Sequence, residues 1–246
     1  MLSLLEETMS SEAEELFDLL FTKDFNPSAL RRELDTGRFS PEDVNRAAIE
    51  YVLTCMGLHD EDQYNGEELR YGETLPGYED SNVVEALKIL LDYGLDPNKK
   101  YIELSNDGSV RDCWNIMLEL WFTVNGYQAA DALYLLLSHG GDPSLKLDHL
   151  TILDEVTDEV EFVIQEREDM NDYDFDALIH YWLVLIGFGG KSVNGSCPLD
   201  PVHHFDLSML RNHRDYYYGE IYTKESKDGW QYCIFNKHTN REVARF

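Results

Sequence analysis

The chain has 246 residues, 43% hydrophobic and 12% aromatic, enough apolar surface to close a core and to argue against wholesale disorder. Its Lys+Arg total of 20 against 48 Asp+Glu leaves a formal net charge of −28, which argues against nucleic acid as a partner, because phosphate binding rests on lysine and arginine neutralising the backbone. The surplus is uneven: residues 207–246 hold more basic than acidic side chains, so the whole excess of acids lies in 1–206.

From the start of the chain, Met1 to Leu20 carries leucines among Glu6, Glu7, Glu12, Glu14 and Glu15, without the basic start and small-residue cleavage site of a signal peptide. Apolar residues at helical spacing predict helices over 11–22, 41–56, 82–93, 110–123, 128–139, 151–167 and 174–187, pairing as hairpins. Ser40-Pro41-Glu42-Asp43 gives the second of these a capping serine and a proline at the first helical position. Between the second and third helices, 57–80 is rich in Asp, Glu, Gly and Tyr, with Pro76-Gly77 as a turn signal, and reads as a long acidic loop. Long loops in compact domains are either functional or disordered, so this one supplies the candidate partner-binding residues Asp60, Glu61, Asp62, Tyr64, Glu67, Glu68, Tyr71 and Tyr78. The aromatic residues Trp114, Trp121, Phe122, Tyr127, Tyr181 and Trp182 stand at helical spacing, which assigns them to core rather than to a ligand groove. The most apolar stretch, Ile179 to Phe188, is interrupted by His180 and followed by Gly189-Gly190, far short of the roughly 20 residues of a membrane span.

One segment recurs. Leu90-Leu91-Asp92-Tyr93-Gly94-Leu95-Asp96-Pro97 aligns with Leu136-Leu137-Ser138-His139-Gly140-Gly141-Asp142-Pro143, and each follows an apolar helical pattern. Leu19-Leu20-Phe21-Thr22-Lys23-Asp24-Phe25-Asn26-Pro27 keeps the leucines and the polar-proline end, and Leu185-Ile186-Gly187-Phe188-Gly189-Gly190-Lys191 keeps the glycine. The physical content is a leucine-faced helix that ends in a left-handed glycine, with proline preventing its continuation. This close resembles the end of the second helix of an ankyrin repeat. The family's Thr-Pro-Leu-His opening has its counterparts in Thr151-Ile152-Leu153-Asp154 and Cys197-Pro198-Leu199-Asp200. The two clear closes stand 46 residues apart, so insertions must lengthen the usual unit of about 33. The resemblance implies a mostly α fold, an ankyrin-like helical-hairpin solenoid over 1–206 that works by binding other proteins.

After about Leu207 the period changes. Residues 216–222, 230–235 and 241–246 are aromatic and β-branched runs separated by turn-forming Lys227-Asp228-Gly229 and Lys237-His238-Thr239-Asn240, which predicts a small C-terminal antiparallel β-meander over 207–246 that caps the last repeat.

No motif for catalysis survives inspection. Gly187-Phe188-Gly189-Gly190-Lys191-Ser192 ends like a phosphate-binding loop, but a helix precedes it and Leu185 stands where the first glycine belongs. Asp172-x-Asp174-x-Asp176 lacks the calcium loop's glycine and terminal glutamate, at Ala177 and Leu183, and reads as an acidic helix start. Cys197, His203, His204, His213, Cys233 and His238 share no zinc-site interval. The scattered Cys55, Cys113, Cys197 and Cys233 fit reduced thiols in a reducing, cytoplasmic compartment. The expectation is therefore a non-enzymatic protein-interaction module without cofactor or metal, whose partner is a basic protein and neither nucleic acid nor membrane. Its sharper form is an acidic inhibitor or immunity protein for a basic toxin; the alternative is an enzyme of unrecognised type with a site between the repeats and the β tail.

Overall fold

A computed structural model describes residues 9–22, 25–57, 81–104, 110–123, 126–165, 172–196, 219–226, 229–236 and 241–245. The described residues are mostly helical, with eight helices. The chain divides into two compact units, Met1–Gly141 and Asp142–Phe246.

In the first unit α1 (Ser11–Leu20) is capped by Ser10, whose hydroxyl accepts from Ala13 N. Next comes α2 (Pro27–Leu34), which the sequence reading did not anticipate: Asn26-Pro27 looked like a helix end but starts one. Asn26 Oδ1 accepts from the amides of Ser28 and Ala29, and Pro27, which has no amide to satisfy, takes the first position. After α3 (Pro41–Gly57) and α4 (Ser81–Asp92) the chain makes an antiparallel hairpin of β1 (Tyr101–Leu104) and β2 (Val110–Trp114), then α5 (Ile116–Thr123) and α6 (Gly126–Ser138). The helix expected over 110–123 is thus strand for its first five residues. Asn115 marks the change, since its side-chain oxygen accepts from Met117 N and its carbonyl from Leu118 and Glu119 N.

These six helices form two rows. One runs α1 to α3 to α5 and the other α2 to α4 to α6, while α3 also packs on α4 and α5 on α6. Leu16, Leu20, Val52, Leu87, Leu90, Met117, Leu120 and Leu133 fill the space between helices, each buried aliphatic side chain contributing about 1.5–3 kcal/mol relative to exposure. Fully buried Ala47, Ala48, Ala129 and Ala130 let neighbouring helices approach closely.

The second unit opens on a short hairpin of β3 (Lys146–Leu147) and β4 (Leu150–Thr151), turned by Asp148 at φ +48°, and continues with α7 (Ile152–Gln165) and α8 (Asp172–Gly187). Strands β5 (Gly219–Ser226), β6 (Gly229–Asn236) and β7 (Arg241–Arg245) pair antiparallel in that order. Every residue from 177 to 186 on α8 is buried, so the helix is covered on all sides. Its neighbours are α7 and all three of those strands.

Both units use one helix ending. Gly94, Gly140 and Gly189 take φ of +104°, +94° and +87°, a region that costs L-residues about 1–2 kcal/mol. In each, the next amide reaches back five residues: Leu95 N to Leu90 O, Gly141 N to Leu136 O and Gly190 N to Leu185 O, all at 3.0 Å. The endings at Gly94 and Gly189 are then held by polar side chains from the start of another helix. Buried Asn45 on α3 donates to Gly94 O (3.0 Å) and accepts from Asp96 N (2.9 Å), and Tyr101 Oη donates to the carbonyl of Asn45 (2.6 Å). Buried Asn115 donates to Pro97 O and Lys99 O, both at 2.9 Å. In the second unit Asp154 accepts from the amides of Thr151 and Val193, and Thr151 Oγ1 lies 3.1 Å from Lys191 O.

Replacing Asn45 by Ala removes a donor from the carbonyls of Pro41 and Gly94 and the acceptor of the Asp96 amide at a part-buried position, where each orphaned group costs about 1–3 kcal/mol. Urea denaturation of Asn45→Ala is expected to show a loss of about 2–3 kcal/mol; a loss under about 0.5 kcal/mol contradicts the clamp.

Candidate partner-binding surface

The residues singled out in the acidic loop, Asp60, Glu61, Asp62, Tyr64, Glu67, Glu68, Tyr71 and Tyr78, lie outside the described residues. So do Cys197, His203, His204, His213 and His238. Cys113 is half-buried on β2 opposite Ile102. Among the described residues no group of three His, Cys, Asp or Glu side chains could hold a metal ion. Of the aromatic residues, Tyr181 and Trp182 are core, the Trp182 indole donating to Thr157 Oγ1 at 2.9 Å, while Trp114 and Trp121 are half-buried. The side chains of Phe122 and Tyr127 lie outside the description.

Helix geometry sorts the acids. In the first unit many face bases: Arg38 joins Glu15 of α1 to Glu33 of α2, Arg31 meets Asp92 (3.2 Å), Lys99 meets Glu42 (2.8 Å) and Arg46 meets Glu50 (3.0 Å). The hydrogen bond from Arg38 holds the Glu15 carboxyl below its ordinary range. Asp43, which accepts from Ser10 Oγ and from the amide and hydroxyl of Ser40, pins the start of α1 to the start of α3.

Helix α7 is different. Its sequence, Ile152 to Gln165, contains no lysine or arginine. Ile152, Leu153, Val156 and Val160 are buried, which turns Glu155, Asp158, Glu159 and Phe162 outward at the i, i+3, i+4, i+7 spacing of one helix face, with exposed Glu161 alongside. Among the described residues none of Glu155, Asp158, Glu159 and Glu161 takes part in a salt bridge. Partial burial, and then the charge of Asp158 one turn away, push the Glu155 carboxyl above its ordinary range. Phe162, at the C-terminal end of this stripe of acids, is 60% exposed. The sequence places a helix here, but with 48 carboxylates in the chain no single acid draws notice. The available signal was an aromatic residue on the polar side of a helix that has no base of its own.

The chain matches no protein-family model, no curated protein and no solved structure.

His180 sits on α8 with 2% of its surface exposed, and burial pushes its pKa down from 6.5 to about 4. The imidazole is therefore neutral in the fold at pH 7. Between about pH 6.5 and 4 the unfolded chain binds a proton here that the fold resists, so this contribution is full above 6.5 and is lost as pH falls through the window. Denaturation midpoints should fall across that range by up to roughly 3 kcal/mol of stability from this group, taking 1.36 kcal/mol per pH unit. His180→Leu should flatten that part of the profile; an unchanged slope in the variant contradicts the assignment.

Proposed function

We propose that this chain is a non-enzymatic protein-interaction module, built of ankyrin-like helical hairpins that continue as a solenoid, and that its partner is a basic protein. The observation that carries the reading is the formal charge of −28 on a scaffold of side-by-side helices. Such a surplus repels itself within the folded chain and is useful when it draws in and orients a cationic surface. Support for the repeat reading comes from the two rows of helices in the first unit, the shared glycine endings and their polar clamps, and the β1–β2 hairpin inserted between α4 and α5. Support for a capping role of the C-terminal strands, as an antiparallel meander, comes from their contact with α8, whose residues 177–186 are all buried. The chain then acts in the cytoplasm; no helix among the described residues is long and apolar enough to cross a membrane. An inhibitor or immunity protein that occupies the cationic substrate site of a toxin is the form of this function that uses the acidity most fully.

Immobilised chain incubated with native lysate tests the reading. A basic protein should be retained at about 0.1 M salt and released towards about 1 M, as the screening length shrinks from about 10 Å to about 3 Å. Retention of acidic or neutral proteins only, or retention indifferent to salt, contradicts it.

A further inference from the structure

The outward face of α7 asks for a ligand more specifically than net charge does. Among the described residues of the first unit, Arg31, Arg32, Arg38, Arg46, Lys88 and Lys99 pair with carboxylates of that unit. Helix α7 instead gathers Glu155, Asp158, Glu159 and Glu161 within about two turns, and like charges three or four residues apart destabilise a helix by a few tenths of a kcal/mol per pair. Phe162 adds 60% exposure of an aromatic side chain at the end of that stripe. Glu155, in the first turn, suits the helix dipole, but Asp158, Glu159, Glu161 and the exposed ring lie beyond that turn.

Resting on the reading of the chain as a binder of a basic protein, we infer that the Glu155–Asp158–Glu159–Phe162 face of α7 docks an arginine-bearing segment of that partner. The two features complement one residue type. A guanidinium is planar, stacks on an aromatic face and still presents its edge donors to neighbouring carboxylates. The lysine ammonium is a compact, strongly hydrated charge that gains less from the ring. A second copy of this chain does not fit, because an isologous contact at this face would set eight carboxylates, four from each copy, against one another.

Fluorescence anisotropy with labelled nona-arginine and nona-lysine peptides, at about 0.1 M salt, reads this directly. The full chain should bind nona-arginine several-fold more tightly than nona-lysine. Phe162→Ala should weaken the arginine peptide about five- to tenfold and abolish the preference, whereas Phe162→Tyr, which keeps a π face, should retain it. Asp158→Asn combined with Glu161→Gln should weaken both peptides more than Glu14→Gln combined with Asp18→Asn, an equal loss of charge on exposed positions of α1. If both peptides bind but neither the ring nor the position of the lost charge matters, the docking face is overturned and the basic-partner reading stands. If neither peptide binds, both fall. A chain that sediments as a dimer dissociated by Phe162→Ala would assign the face to self-association and overturn the inference.

Discussion

Helices packed side by side must stop cleanly, and here the stop is a left-handed glycine whose following backbone is held by polar side chains. The amides of Leu95, Gly141 and Gly190 reach back to Leu90, Leu136 and Leu185, so each helix closes on its own last turn. That geometry alone leaves the chain after the glycine free to point anywhere. Asn45 and Asn115 remove the freedom in the first unit by bonding to backbone on both sides of Asp96-Pro97, and Thr151 with Asp154 does the corresponding work around Lys191 to Val193 in the second. Further bonds then tie ending to ending: Asn98 Nδ2 reaches Gly140 O at 2.9 Å, and Lys191 N reaches Ser144 Oγ at 2.8 Å. Buried amide side chains are costly unless satisfied, so these asparagines serve orientation more than net stability.

With backbone polar groups satisfied locally, the surface is free to carry charge. The distribution of that charge divides by role. Where Arg38 spans α1 and α2, or Asp43 joins the starts of α1 and α3, carboxylates work as fasteners. On α7 they face solvent without such partners among the described residues, next to an exposed aromatic ring. The same residue type thus does two jobs, and only the placement of the scarce bases tells them apart.

The helices of the fold were largely legible because leucine and alanine recur at helical spacing and because glycine in a Leu-Leu-x-x-Gly setting has one physical use. The third ending, at Gly189, was legible even without the Asp-Pro that follows the other two. Asn26-Pro27 was misread because an asparagine and a proline serve equally well after one helix and at the head of the next; length between signals, not residue type, separates the cases. The β1–β2 hairpin was hidden because Val110 to Trp114 continues an apolar pattern that a short strand and a helix turn share. The candidate surface was the least legible part. The acidic loop drew attention by its composition and lies outside the described residues, while the α7 face becomes visible only when burial shows which acids look outward and which bases are already engaged.

The central claim is that glycine endings, with the polar side chains that bond to backbone at or beyond them, fix the ends of α4, α6 and α8, and native-state hydrogen exchange reports on those endings amide by amide. The amides of Leu95, Asp96, Gly141 and Gly190 should exchange as slowly as those within the neighbouring helices, by global opening alone, although each lies beyond the end of a helix. Exchange of these four at the rate of an exposed loop, with the helices still protected, would contradict the account.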